Sequence, residues 1–299
     1  MRFTRRDFGK LALAAGTAAR LMAAKLNSTF NGVHIGIVTY SFRDLHPTAE
    51  QLLQYCVDLN IDAIELMNDV PEAYAGAPTG KGKQFDEELR AWRTSVSMDR
   101  YRALRHMYED AGVKIYGFKL PPTMAMTDAE YEYIWNVGET LGVDQLTMEL
   151  PGEKESALLH RVADYAERRK LRIAFHTHGQ NGLQGFDEAL ALSPYTALNI
   201  DVGHYWGVNG ESPVPVVEKY HERIASLHLK DRKAPVNGKA GDNVPWGQGS
   251  TPLKQLLQVM EREQYRFPAS IEYEYTTPEG STILAEIGKC LDYCKEAIL

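Results

Sequence analysis

The sequence predicts a closed (β/α)8 barrel, the TIM-barrel class of α/β fold. Three observations carry that prediction. Apolar, β-rich runs alternate with amphipathic helical stretches about eight times along one 299-residue chain, the pattern of a parallel sheet wrapped by helices. No low-complexity linker divides the chain, and residues 29–299 suffice for one domain with a sizeable core. An open doubly wound sheet, the competing arrangement, calls for fewer units and a glycine-rich phosphate turn after its first strand, and neither is present.

The elements follow in order. Residues 33–42 (VHIGIVTYSF) read as the first strand, and 48–59 as a helix behind a Thr48 cap. The second strand, 63–67 (AIELM), leads into a long irregular stretch, 68–97, rich in Gly, Pro, Lys and Glu. Trp92 and Arg93 there suit a lid or substrate wall, or a ring packed over an outer helix. Ser97 caps a helix running to Asp110. Further strands are expected at 114–120, 145–150, 172–178, 197–201, 224–230 and 269–275. Helices are expected after them at 129–141, 154–169, 186–192, 214–223, 252–264 and 281–299. Pro121-Pro122 and Pro151 stop two of the strands.

The N-terminus reads as an address. Arg5-Arg6 precede a short, weakly hydrophobic run, Leu11 to Ala19, the layout of a twin-arginine export signal with residues 1–28 as signal and linker. The run is too short to span a bilayer, so no stable membrane insertion is expected. A periplasmic or otherwise exported protein follows. The chain carries a net charge of −7, and five basic side chains against one acid fall within residues 1–24. The remainder is more acidic still, which argues against nucleic acid as a partner. Cys56, Cys290 and Cys294 read as packing residues.

In a barrel, chemistry belongs at the C-terminal ends of the strands. Glu149 ends the fourth strand, and His176 and His178 the fifth, two residues apart on one face. Asp201 ends the sixth, with His204 beyond a glycine turn. His228 and Lys230 share a face at the end of the seventh, and Glu272 and Glu274 at the end of the eighth. Each alone is an ordinary buried polar residue. Together, acids and imidazoles converging on one mouth repel one another or stay desolvated unless a cation or proton holds them. Two glutamates, an aspartate and a histidine suit a divalent metal, with Mn2+ ahead of Mg2+, Co2+ or Zn2+.

On these residues the chain resembles the sugar phosphate isomerase/epimerase family, whose fold is the xylose-isomerase-like barrel, in an exported branch. That family includes ketose 3-epimerases, inosose dehydratases and barrel-type apurinic endonucleases. The carriers are Glu149 of MEL, Asp201 and His204 of DVGH, His228 of HLKD and Glu272 of IEYE. The resemblance implies Glu149, Asp201, His228 and Glu272 as metal ligands, Glu149 and Glu272 also moving protons, and His204 on a substrate oxygen. HTHG at 176–179 resembles the family's fifth strand. With it His176, His178, Lys230, Trp206 and Trp246 are expected to line the sugar site. Two departures narrow it. The ketose epimerases' arginine six residues beyond the strand-seven histidine is here Ala234, and the early strands end in Met67 and Leu120 where the endonucleases need histidines.

The implied reaction removes a proton beside a sugar carbonyl through an enediolate. Isomerisation or epimerisation is the leading expectation. Elimination, as in a 3-keto-glycoside lyase, shares the intermediate and is the alternative. An exported sugar-binding barrel with a structural metal is the non-enzyme alternative. A small sugar or glycoside is the expected partner, and homo-oligomerisation is left open.

Overall fold

The computed structural model describes residues 26–177 and 182–299, the side chains of 182–184 excepted. Nine strands run through them in chain order: β1 (Thr29–Phe30), β2 (Val33–Val38), β3 (Ala63–Met67), β4 (Lys114–Lys119), β5 (Gln145–Glu149), β6 (Arg172–Thr177), β7 (Thr196–Asp201), β8 (Ile224–Leu229) and β9 (Ala269–Ile271). β2 to β9 pair in parallel with their sequence neighbours, and β2 also pairs with β9. The expected eight-stranded barrel is thus closed. β1 adds a short antiparallel arm to β2. The described residues contain no helix long and apolar enough to cross a membrane.

Around the barrel lie α1 (Ala49–Asp58), α2 (Asp69–Ala75), α3 (Lys83–Arg93), α4 (Asp99–Asp110), α5 (Asp128–Leu141), α6 (Ser156–Arg169), α7 (Gly182–Ala191), α8 (Val202–Asn209), α9 (Val214–Tyr220), α10 (Leu253–Arg262) and α11 (Ile283–Ile298). The predicted Thr48 cap forms a full capping box with Gln51, and Thr127 forms another with Glu130, each satisfying two backbone N–H groups that the first helical turn leaves free.

Strand alternation divides two interiors. Outward residues such as Leu198, Ile200, Leu227 and Leu229 join the apolar core between strands and helices. The barrel lumen is small and polar instead. Ala174, Ala197 and Ala225 form their own cluster, and Gln145 and Asn199 both donate to Ser226 Oγ, at 2.7 and 2.6 Å. The Tyr116 and Ser270 hydroxyls are bonded to each other. This hydrogen-bonded floor supports the mouth above it.

Several expectations need correction. The first strand ends at Val38, and Thr39–Leu45 is a 3-10 helix. Ser41 Oγ donates to Ile271 O and accepts from Tyr273 N, tying that turn to the last strand. The expected irregular stretch 68–97 contains α2 and α3. α3 buries none of its residues fully; Phe85, Leu89 and Trp92 recur at helical spacing but are only half-buried, a short stripe set among charged residues. Arg93 anchors its end on Glu72 through bonds of 2.7 and 2.9 Å. Trp92 packs edge-on against Tyr133 of α5, the outer-helix reading rather than the lid. The turn after Asp201 is the start of α8, and the last strand stops at Ile271. The three cysteines are buried and unpaired, as expected.

Candidate metal centre and active site

Parallel register puts the functional residues at one level. Glu149 pairs with His176 across β5 and β6, and Asp201 with His228 across β7 and β8. His228 lies between two carboxylates: Nδ1 is 2.9 Å from Glu272 Oε2 and Nε2 is 2.9 Å from Glu65 Oε2. His176 packs against it, ring centroids 4.7 Å apart, with Nδ1 2.7 Å from Asn199 Oδ1. His176 Nε2 is 4.0 Å from Asp201 Oδ2.

Asp201 plays two parts. Oδ1 caps α8 by accepting His204 N–H at 2.8 Å, and Oδ2 is 2.9 Å from His204 Nδ1. The glycine of the motif has a steric reason. A Cβ on Gly203 would stand 2.2 Å from Lys230 Cγ and 2.5 Å from Lys230 O, so only glycine lets the start of α8 sit this close to the end of β8.

The mouth is strongly charged. Lys230 is 2% exposed, and its ammonium is 2.9 Å from Asp201 Oδ2, 3.1 Å from Glu272 Oε2 and in contact with Glu274 Oε2. Burial would lower the Lys230 pKa, but these carboxylates raise it well above its usual value. Burial would lift the Asp201 and Glu272 carboxyls, but Lys230 outweighs it in both, helped by His204 for Asp201 and by His228 for Glu272, and holds them well below the usual range. The Glu65 carboxyl is likewise held low, burial being outweighed by His228 and Lys119. Burial alone would keep His228 neutral, yet Glu272 and Glu65 push its pKa up to about 10. Burial, with His228 and Lys119 nearby, drives His176 well below its usual value, which leaves it neutral with a lone pair to give.

A divalent cation fits these residues. Donor atoms of His176, His228 and Glu272 lie within 4.8 Å of one another, all buried. Glu65, Asp201, Glu272 and Glu274 bring four carboxylates to the mouth, against the cations of Lys230 and protonated His228. That leaves a surplus of negative charge, which a buried site tolerates poorly and a 2+ ion offsets. His176, expected on the substrate, thus stands among the donors, and with two imidazoles the set is richer in nitrogen than the sequence suggested.

The other expected residues are placed differently. Glu149 stands outside the three-donor cluster, on the rim, where Oε1 accepts from Lys119 Nζ at 2.7 Å. Lys230, expected to meet substrate, is an internal counter-ion. His178 lies outside the described residues. Trp206 is half-buried on α8, and its indole N–H meets no acceptor among the described residues. Trp246 packs edge-on against Tyr293 of α11, so its ring contact is with the outer layer. Sequence reading missed Glu65, Lys119 and Asn199. The readable sign for Glu65 was a charged residue on the inward parity of an otherwise apolar strand.

Comparison with known proteins points to the same fold. Residues 153–294, which hold His176, Asp201, His228 and Glu272, match the family model described as xylose isomerase-like TIM barrel. Inosose dehydratases of Clostridium botulinum and Clostridium beijerinckii are 28% and 35% identical over 134 residues, 39% of this chain and 45% of each relative. The chain therefore spans about half the length of the curated relatives it matches. Among solved structures, a sugar phosphate isomerase/epimerase from Parabacteroides distasonis superposes with a TM-score of 0.64 at 17% identity, covering 93% of this chain and 100% of that one. A probable 3-DHS dehydratase involved in petrobactin synthesis in Bacillus anthracis gives 0.63 at 15%, covering 87% and 99%.

Proposed function

Starting from a chain that is a xylose-isomerase-like TIM barrel, we propose a cation-dependent lyase that eliminates water or another leaving group from a keto-sugar or keto-cyclitol. The observation that carries the choice is the local likeness to inosose dehydratases, at up to 35% identity. Isomerisation or epimerisation, the leading expectation from sequence, becomes the second reading. A structural neighbour bearing that name favours it, and both reactions begin with the same proton abstraction.

His176, His228 and Glu272 would hold the cation, with Asp201 beside them. A bound divalent ion would polarise the substrate carbonyl and acidify the adjacent carbon; Mn2+ stays the expected ion, with Mg2+, Co2+ or Zn2+ as alternatives. Glu149, on the rim and paired with Lys119, takes the proton from that carbon. His204, oriented through Nδ1 by Asp201, gives a proton to the departing oxygen. The arginine pair and apolar run lie outside the described residues, and we propose export by the twin-arginine route on their sequence alone.

The test incubates cation-loaded protein in D2O with a keto-inositol, free ketoses and 3-keto-glycosides, followed by proton NMR. Elimination gives new vinylic signals. Epimerisation gives C–H exchange with the leaving group retained, and a sugar-binding barrel gives neither. Glu149→Gln and Glu272→Gln should each slow turnover by about 100-fold or more. Full activity of both variants refutes the assignment.

A further inference from the structure

We propose that Glu65 is the positioning residue for His228: its carboxylate takes the Nε2–H and so leaves Nδ1 as the nitrogen that binds the cation. The inference rests on the cation reading of the mouth and adds a residue to it. A neutral imidazole carries one proton and one lone pair, and which nitrogen has which is set by the partner of the other. His228 has a carboxylate on each side. Glu272 belongs to the three-donor cluster with His176 and His228, and Glu65 does not. The nitrogen facing the cluster is therefore Nδ1, and Nε2 faces Glu65.

Glu65 is built for that task. It stands in the middle of β3, fully buried. Asn199 Nδ2, at 3.3 Å, and the Tyr116 hydroxyl, at 3.4 Å, approach the same Oε2 that meets His228. Opposite it in the register is Gly117, and a Cβ there would press to 3.0 Å of Glu65 Cγ. Its neighbours thus leave the carboxylate room and fix its direction. It joins β3 to β8 across the lumen, so the imidazole is set by a strand far from it in sequence.

The experiment compares wild type with Glu65→Gln and Glu65→Leu. Titration calorimetry on metal-stripped protein gives the Zn2+ affinity. Nitrogen-15 NMR of the Zn2+-loaded protein gives the His228 tautomer. Glu65→Leu should weaken Zn2+ binding by about 10- to 100-fold and lose the fixed Nε2–H signal. Glu65→Gln keeps an acceptor oxygen, so the signal should persist while affinity falls by less. Thermal melts check folding. If Glu65→Leu fails to fold, the wild-type spectrum decides, and a proton on Nδ1 overturns the inference. Variants that match wild type within twofold, with the same tautomer, overturn it too. A wild type that binds no divalent cation refutes the proposed function itself.

Discussion

Gly203→Ala sets two effects of known sign against each other. Replacing a helical glycine by alanine normally stabilises by about 1 kcal/mol, because the unfolded chain loses freedom. Here the new Cβ would sit 2.2 Å from Lys230 Cγ and 2.5 Å from Lys230 O. The second contact decides the outcome. A side-chain carbon can swing away, but the carbonyl moves only with the end of β8. Relief therefore shifts α8 off the barrel or bends the strand, and overpacking of this kind costs about 1–3 kcal/mol, occasionally more. Either movement also loosens Lys230 from Asp201 and Glu272, now 2.9 and 3.1 Å away. The net expectation is a loss of about 1–3 kcal/mol, or a Tm lower by several degrees at about 2–4 °C per kcal/mol for a domain near this size. Calorimetric melting of the metal-stripped protein reads it. A Tm equal to or above wild type would show that the strand end yields freely, and would refute the packing account of the DVGH glycine.

Other outcomes follow from the same contacts. Binding of a cation at His228 Nδ1 must expel a proton, since the imidazole pKa is pushed up to about 10. Affinity for Mn2+ or Co2+ should thus rise about tenfold per pH unit from 6 to 8, with about one proton released per ion in calorimetry across buffers. The sign for the metal-free barrel is opposite: the raised pKa contributes stability that is full below about 6.5 and lost as pH climbs towards about 10. No proton release would contradict both. Arg93→Ala leaves the Glu72 carboxylate buried with only Tyr133 and Asn68 as donors, and should cost about 3–5 kcal/mol in urea unfolding. The double variant with Glu72→Gln should recover part of it, and a loss below about 1 kcal/mol would refute the buried-pair reading.

Periodicity made most of the barrel legible, because a parallel strand covered by helices must be apolar on its outward face. β3 and β7 fell within a residue of expectation for that reason. α3 was missed because its apolar stripe of Phe85, Leu89 and Trp92 is short and only half-buried, and because it is held by Arg93 and by Arg90 on Glu130, contacts that no local pattern announces. The site was half legible. Asp201, His228 and Glu272 stand out because acids and imidazoles at strand ends break an apolar rule. Glu65 breaks the same rule mid-strand, but its meaning depends on a partner 163 positions later. His176 and Lys230 were expected to face substrate; the structure sets His176 among the candidate donors and Lys230 among the acids. Spacing shows that a side chain faces inward, whereas only the fold shows whether it meets donors or counter-ions.

The ammonium of Lys230, ringed by three acids, has a consequence for the order of events in the life of the protein. A cluster of carboxylates with no internal cation would oppose closure of the barrel until an ion arrived, and folding would wait on metal supply. With a tethered positive charge already among them, the strands can close first. A barrel whose mouth is charge-compensated from within can stand without a bound ion, and would take up the proposed cation afterwards. Folding and the proposed loading would then be separate steps, and the second could be reversed without undoing the first.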